Sequence, residues 1–389
     1  MRSRKCSTIS QSTVHQWTLN WLLEAKLLKD HGWLCTARMV WSVTLRAAAR
    51  MTSLAAACRD LACGPSDQAL FDALNEGLPK TLSVLERRLN GALTDRLPRR
   101  LRRRQWNVAI DFHLEPYYGA PQRSKNELYY GEAKAGTTTF HAYATACIVE
   151  YGERYTLAIT WVRRHETPVV ALRRLIHRIR QIQLRIRRVL LDRGFFSKPV
   201  IAYLQQENLP FLMPVMFRGR RPANNRATGL HAIRQRPAGW YEHTLKDRQR
   251  QGVTFQVCVA YRSFQRRKKS TRECKKLLFA AWRVTGSPTW IREQYRLRFG
   301  IETSYRQLRQ ARIHTCTRNP HLRLVFIAVA LLLRNFWVWL HATQLADGAG
   351  ATKTLRLERL RLKRLLDWIA QAVVALLHDG SEPYVSLDT

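Results

Sequence analysis

Apolar residues recur at intervals of three and four along the first hundred positions, most regularly over 16–28 and 38–57. This interval matches the period of an α-helix that buries one face. Short continuous apolar runs replace it from Trp106 onward. The pattern therefore predicts a helical N-terminal region over 1–105, followed by a part of the chain that is rich in strands.

Two short helices are predicted inside the N-terminal region, over 53–75. Ser53 can cap the first helix and Ser66 the second. A break at Gly64 and Pro65 separates them. Two short helices around a glycine turn fit a DNA-binding helix-turn-helix, and they fit a plain helical hairpin equally well.

The region after Trp106 has the pattern of a sheet covered by helices. Predicted strands cover 106–112, 139–149, 155–162, 188–191 and 210–216, and predicted helices cover 169–184 and 197–207. This order of a strand, a hairpin, a helix, a strand, a helix and a strand is typical of a mixed sheet. We therefore predict an α/β fold, whose first part spans 106–216.

The next segment is strongly basic. Residues 217–276 hold 17 Lys and Arg but three acids, and they include the basic run 266–269. Strand-like patterns within it and after it predict a β-rich insertion over 217–284 with a basic surface.

The C-terminal part of the chain is predicted to be helical. Ser287 begins a helix that reaches about residue 311, and an apolar helix follows over 322–340. Together they are expected to complete the core over 285–345. A basic amphipathic helix is predicted in the remaining tail, 346–389.

The net charge of the chain limits the classes of function that it can have. Its 389 residues include 66 Lys and Arg against 28 Asp and Glu, a formal net charge of +38. A charge of this size repels itself, and a polyanion relieves the repulsion. Ordinary enzymes of small neutral metabolites are therefore excluded. Nucleic acid is the favoured partner, and an anionic membrane surface is the alternative.

No membrane span is expected. The longest apolar run, 324–333, has ten residues, whereas a spanning helix needs about 20. The first ten residues lack the apolar stretch of a secretory signal, and the eight cysteines show no zinc-binding spacing. We expect reduced cysteines, no zinc, and a cytoplasmic protein associated with the nucleoid.

Three carboxylates occupy positions where burial is costly. Asp111 and Asp192 follow apolar runs at the predicted ends of core strands, and Glu302 lies within a predicted helix. Such strand-end acids can converge, and three converging carboxylates suit two Mg²⁺ or Mn²⁺ ions about 3.5–4 Å apart. On spacing alone, an equally weighted alternative is that Asp111 and Asp192 cap neighbouring helices.

The residues around Glu302 follow a distinctive spacing. Two residues separate Tyr295 from Arg298, three separate Arg298 from Glu302, and Arg309 follows after six more. With Lys at the last position, this is the signature of one branch of the DDE transposases of bacterial and archaeal insertion sequences. The chain resembles that family.

The resemblance extends over roughly 40–340. The segments 109–119 and 189–194 are similar to the family's segments around its first two acids. Arg309 departs from the family's Lys, which keeps the charge but changes the donor geometry. The resemblance implies a ribonuclease H-like mixed sheet flanked by helices, with a β-rich insertion and an α-helical N-terminal region.

The resemblance also implies roles for individual residues. The implied catalytic acids, which would bind two Mg²⁺ or Mn²⁺ ions, are Asp111, Asp192 and Glu302. The implied DNA contacts are Tyr295, Arg298 and Arg309. From the spacing, Tyr295 could instead simply pack, and Arg298 could form an ordinary helix salt bridge with Glu302.

The implied activity is that of a DNA transposase. Such an enzyme cleaves its element's ends and joins the freed 3′-hydroxyl to target DNA, as a homodimer or larger assembly on paired ends. Two alternatives are a catalytically inactive DNA-binding protein derived from a transposase and a nuclease on the same core, including one that processes RNA. A DNA-cleaving enzyme is favoured because all three acids are present.

Two further polar residues lie near Asp111. His113 shares its strand face, and we expect it to support the site rather than bind an ion. Glu115 is expected in a loop.

Overall fold

The computed structural model describes residues 8–32, 35–217, 227–247, 249–265, 272–348 and 354–377. The helices of these residues are α1 (Gln11–Glu24), α2 (Ala37–Arg50), α3 (Leu54–Arg59), α4 (Asp67–Gly77), α5 (Leu82–Thr94), α6 (Pro168–Gln181), α7 (Lys198–Gln206), α8 (Gly229–Gln235), α9 (Pro288–Arg296), α10 (Phe299–Leu308), α11 (Pro320–Thr343) and α12 (Leu362–Leu376). The strands are β1 (Gln105–Pro116), β2 (Tyr129–Lys134), β3 (Thr137–Ile148), β4 (Thr156–Val162), β5 (Arg185–Leu191), β6 (Phe211–Pro214), β7 (Gly239–Lys246), β8 (Gly252–Gln265) and β9 (Arg272–Trp282).

These strands form one mixed sheet in the order β2-β3-β1-β5-β6-β9-β8-β7, with β4 also paired to β3. β3 is antiparallel to β1 and to β4, whereas β5 runs parallel to β1, and β6 parallel to β5. Parallel neighbours require crossover connections, and α7 connects β5 to β6. The predicted α/β fold, a mixed sheet flanked by helices, is confirmed.

The two faces of β1 belong to different parts of the core. Successive residues of a strand point to opposite faces. Val108 and Ile110 accordingly pack in one apolar cluster, and Ala109 packs in another with Ile301 of α10. Asp111 follows Ala109 by two residues, so it lies on the face that α10 covers.

The basic segment extends this sheet. β9 pairs antiparallel with β6, and β8 and β7 continue beyond it. The predicted β-rich insertion over 217–284 thus adds its strands to the edge of the core sheet. Its basic run 266–269 lies outside the described residues.

Helices α3 and α4 lie where the sequence predicted a helix pair, over 53–75. The Ser53 hydroxyl accepts a hydrogen bond from the backbone N–H of Ala56 at 3.1 Å. The Ser66 hydroxyl accepts one from Ala69 at 3.2 Å. Because a helix-turn-helix and a plain hairpin share such caps, DNA binding by this pair stays a prediction.

The C-terminal tail folds back onto the N-terminal region. Helix α12 packs against α1 and α2. The Arg46 guanidinium donates to the Ala370 carbonyl at 3.2 Å, and the Cys63 amide donates to the Leu377 carbonyl at 3.0 Å. The two ends of the described chain therefore share one helical layer.

Helix α11 joins this helical layer to the sheet. Among the described helices it alone is long and apolar enough to cross a membrane, yet 94% of its most apolar window is buried inside the protein. The buried Asn335 amide accepts from the Thr156 amide at 2.8 Å and donates to the Leu93 carbonyl at 3.1 Å. These contacts to β4 and α5 are those of a core helix, as the sequence predicted.

Candidate active site

The central strand β1 carries Asp111. The strand extends to Pro116, four residues beyond the predicted end at Phe112, so Asp111 lies within the strand rather than at its end. Its pairing with Thr145 of β3 continues the antiparallel ladder on both sides. This ladder fixes the backbone of Asp111, whose side chain is 18% exposed.

Asp192 lies beside Asp111 because β5 is the parallel neighbour of β1. The register pairs Ile110 with Leu191, so the residue that follows each of them in the chain is an aspartate. Asp192 itself follows the last residue of β5, as predicted, and its side chain is 47% exposed.

The third acid comes from a broken helix. The sequence predicted one helix from Ser287 to about residue 311, but the structure has α9 and α10 with a tight turn at Leu297 and Arg298. In this turn the Arg298 amide donates to the Tyr295 carbonyl at 3.0 Å, three residues back instead of four. Because of this break, α10 begins next to the sheet, and Glu302 lies in its first turn.

Gly300 lets α10 approach the sheet. A Cβ at this position would lie 3.2 Å from the Cβ of Val149 and 3.3 Å from the Val149 carbonyl oxygen. A side chain at this position would require α10 or its neighbours Val149 and Arg154 to shift by a few tenths of an ångström.

One guanidinium joins the three carboxylates. Arg298 lies 3.1 Å from Asp111 through Nη1, and its Nη2 lies 2.6 Å from Glu302. The same Nη2 is 3.6 Å from Asp192. The Arg298 side chain is only 8% exposed, so the cluster is a partly buried group of three anions around one cation.

The charges of the cluster do not balance. Burial raises the pKa of Asp111 to about 6, Arg298 opposes this shift, and the neighbouring Asp192 and Glu302 reinforce it. Three carboxylates against one guanidinium leave an excess of negative charge in a molecule with a net charge of +38. The cluster is therefore a place where further cations would be stabilised.

The catalytic part of the chain matches a known protein family. The family model of the transposase DDE domain matches residues 103–336, which include all three carboxylates and Arg298. The chain belongs to the DDE transposase family. Nuclease and transposition activity come with this assignment, and the function is that of a DNA transposase.

Among solved structures, the DDE transposase resembles piggyBac transposase in a synaptic complex with hairpin DNA. The match covers 95% of this chain and 78% of that one, at a TM-score of 0.52 and 13% sequence identity. At this identity the likeness concerns the fold. No curated protein matches the sequence significantly.

The other signature residues of the transposase occupy different surroundings. Tyr295 is buried, and its hydroxyl donates to the carbonyl of Leu191 at 3.3 Å, directly before Asp192. The guanidinium of Arg298 lies 5.6 Å from the Tyr295 ring centre. Arg309 is exposed and forms no ion pair with a residue that the structure describes. The structure thus brings Tyr295 and Arg298 to the carboxylates and leaves Arg309 apart.

Glu115 was wrongly expected in a loop. It lies in β1, is 7% exposed, and accepts a hydrogen bond from His113 Nε2 at 2.5 Å. Arg312 pairs with its other oxygen at 2.8 Å. Burial raises the pKa of Glu115, but the His113 hydrogen bond and the Arg312 and Arg309 charges together hold it below its usual value.

Tyr305 connects this pair to the carboxylate cluster, and the sequence analysis missed it. Its ring lies 4.9 Å from that of His113, and its hydroxyl donates to the Asp111 carbonyl oxygen at 3.1 Å. The same hydroxyl lies 2.7 Å from the Thr145 hydroxyl. The sequence did contain a signal that β1 continues to Glu115: Asp111, His113 and Glu115 are two residues apart, which places them on one face of a strand.

Proposed function

We propose that Asp111, Asp192 and Glu302 are the catalytic acids of this transposase and that they hold two Mg²⁺ or Mn²⁺ ions. The observation that supports this is the position of the Arg298 guanidinium, which contacts all three carboxylates at once. A cation already stands where the proposed ions would be needed.

The donor set fits such ions. Mg²⁺ and Mn²⁺ prefer carboxylate oxygens, and three carboxylates with one guanidinium can accept further positive charge. In the described residues no three acidic, His or Cys side chains are arranged to hold a metal as they stand. We attribute this to Arg298, which occupies the space between them. Bound ions would supply an activated oxygen nucleophile and would stabilise the leaving oxygen of an in-line phosphoryl transfer.

The protein's own groups fix the geometry of that transfer. The β1 ladder holds Asp111, and the Tyr295 hydroxyl holds the Leu191 carbonyl directly before Asp192. Once Arg298 releases the carboxylates, its guanidinium is free to donate to phosphate oxygens of DNA. Arg309 is exposed and is proposed as a further DNA contact, as is Tyr295.

The proposed reaction has two stages. Water attacks a phosphodiester at the element's end, and the 3′ oxygen leaves as a hydroxyl. That hydroxyl then attacks a phosphodiester of target DNA, and the displaced 3′ oxygen leaves in turn. The proposed partners are therefore element-end and target DNA at the nucleoid, held by a homodimer or larger assembly of this chain.

The test is strand cleavage of duplex DNA taken from the sequences that flank the gene. We expect wild-type protein to nick this DNA with Mg²⁺ and not with EDTA, and Asp192→Asn to bind it equally well but leave it intact. Unchanged cleavage by Asp192→Asn would remove Asp192 from the site. If wild type binds but never cleaves, the chain is a DNA-binding derivative, and preferential cleavage of RNA would make it a processing nuclease.

A further inference from the structure

A polar cavity lies in the protein apart from the three carboxylates. It has a volume of about 580 Å³ and lies between the end of α4, the segment 122–127, the end of β4 and the start of α11. Its wall includes Trp161, after which we call it the Trp161 cavity. The cavity therefore joins the predicted DNA-binding region to the catalytic sheet.

Positive charge converges on the Trp161 cavity. Its lining includes Lys80, Arg123 and Arg163, and Glu127 is its one acidic residue. The Glu127 carboxylate already accepts hydrogen bonds from the backbone amides of Gln122 and Arg123, at 2.9 and 3.2 Å. Lys80, Arg123 and Arg163 are exposed, and none forms a salt bridge with a residue in the described ranges. Three cations and one carboxylate thus line the cavity, and none of the three cations forms an ion pair with a described residue there.

Three more features of the wall bear on anion binding. Helix α11, 24 residues long, begins at the cavity, and the start of a helix carries positive partial charge. Burial lowers the pKa of His321 on this wall, the charges of Arg123 and Arg163 lower it further, and the Glu127 charge opposes them. Trp161 is 4% exposed, and its buried Nε1 has no hydrogen-bond partner among the described residues.

The cavity lies a short distance from the carboxylates, and the residues directly between them, Tyr143 and His113, are buried, so a strand that reaches both runs over the surface above these two residues. Trp161 pairs with Tyr143, which pairs with His113, two residues beyond Asp111 on the same strand face. Two strand spacings and two residues along the sheet separate Trp161 from Asp111, roughly 12 Å. At 3.4 Å per nucleotide, about four nucleotides of a strand span this distance.

From this convergence of cations we infer that the Trp161 cavity binds the phosphate backbone of the DNA whose neighbouring phosphodiester lies at the carboxylates. Arg123 and Arg163 contact phosphate oxygens at the cavity mouth, next to the start of α11. The inference rests on the proposed function for its ligand and adds a place where the strand is held. It assigns Arg123 and Arg163 to DNA binding, which no sequence pattern indicated.

The experiment measures binding of a 30-base-pair duplex in EDTA over a series of salt concentrations. Each phosphate contact contributes about 0.9 to the slope of log affinity against log salt. The slope of the double variant Arg123→Ala/Arg163→Ala is expected to be lower by about two, with about tenfold weaker binding at 100 mM salt. Arg123→Ala alone is expected to lower the slope by about one, and it stays informative if the double variant does not fold. The control Arg87→Ala removes an exposed arginine of α5 outside the cavity.

A double variant that binds with the slope and affinity of Arg87→Ala overturns the inference. A charge-retaining Arg123→Lys/Arg163→Lys protein that loses as much slope as the alanine pair also overturns it. Inorganic phosphate is the second source of this ligand chemistry. If it raises the melting temperature of wild type but not of the double variant, while the DNA slopes agree, the cavity binds free phosphate and not DNA. Asp192→Asn is expected to keep the wild-type slope, so loss of cleavage and loss of this contact are separate results.

Discussion

Two groups of charged side chains lie on the same face of β1, and they differ in how their charges balance. Around Arg298, three carboxylates share one cation and remain partly open to solvent. Four residues along the strand from Asp111, Glu115 is almost fully buried and pairs with both His113 and Arg312. In the second group the carboxylate is matched by a cation, whereas in the first group three carboxylates share one cation.

In a strongly basic protein, a cation site is expected where carboxylates lack their share of Lys and Arg. With 66 Lys and Arg in the chain, cations are available to compensate every acid. A cluster in which carboxylates outnumber guanidinium groups is therefore costly unless something else is bound. The Glu115 group stabilises the strand, and the Arg298 group is prepared for a ligand.

The largest expected difference is between Asp192→Asn and Glu115→Gln. Asp192→Asn removes a proposed ligand, which is expected to cost about 4 kcal/mol of transition-state stabilisation, or about 1000-fold in cleavage rate. Glu115→Gln leaves Arg312 and His113 without their carboxylate and is expected to lower the free energy of unfolding by about 2 kcal/mol. Cleavage rate and urea unfolding of both variants measure the two effects.

Each of these two variants is also the control for the other. Asp192→Asn should unfold at nearly the same urea concentration as wild type, because the loss of attraction to Arg298 and the relief of repulsion from the other two carboxylates oppose each other at a half-exposed position. Glu115→Gln should cleave within about threefold of wild type per folded molecule. If Glu115→Gln loses cleavage without losing stability, the two groups do not differ as described.

A smaller effect is expected from pH. His141 is 1% exposed, packs against the Tyr117 ring at 4.7 Å, and has its pKa lowered to about 3, first by burial and then by the Arg323 charge, with Glu115 opposing. In the unfolded chain its pKa is about 6.5, so between pH 6.5 and 3 the unfolded state binds the extra proton. Stability should therefore fall with decreasing pH, by about 2 kcal/mol at pH 5 from this residue.

The matched variant is His141→Phe, which keeps a ring against Tyr117 and cannot titrate. Its free energy of unfolding between pH 7 and pH 5 should fall by about 2 kcal/mol less than that of wild type. Parallel pH profiles of the two proteins would show that His141 is not a neutral buried group.

The smallest of these effects concerns Arg298 itself. Arg298→Gln removes the cation that competes for the carboxylates, so Mn²⁺ should bind about tenfold more tightly, about 1.4 kcal/mol. Arg312→Gln is the control, because Arg312 pairs with Glu115 and not with the carboxylate cluster. Calorimetric titration with Mn²⁺ measures both. Equal or weaker Mn²⁺ binding by Arg298→Gln would mean that Arg298 does not occupy the place of an ion.

The sequence predicted the sheet better than the site. Buried apolar runs mark β5 and β6 because both faces of these strands are covered, and the acid after β5 followed from that pattern. The second half of β1 was missed because Asp111, His113 and Glu115 are polar, and a polar strand half resembles a loop until its partners are known. Strand β2 was missed because it is mostly exposed.

The break between α9 and α10 could not be predicted from local sequence. Neither Leu297 nor Arg298 favours ending a helix, and the turn between them depends on tertiary contacts. Gly300 against Val149 and the carboxylates around Arg298 are such contacts. The spacing from Tyr295 to Glu302 was visible in the sequence, but the place of Arg298 among three acids depends on strands far away in the chain.

Metal binding by the three carboxylates is the central property proposed for this transposase. Its direct test is the number of Mn²⁺ ions bound to wild type and to the double variant Asp111→Asn/Asp192→Asn, measured by calorimetry or by the loss of free Mn²⁺ signal in electron paramagnetic resonance. We predict two ions for wild type and none at comparable affinity for the variant. Equal Mn²⁺ binding by the two proteins would contradict the account.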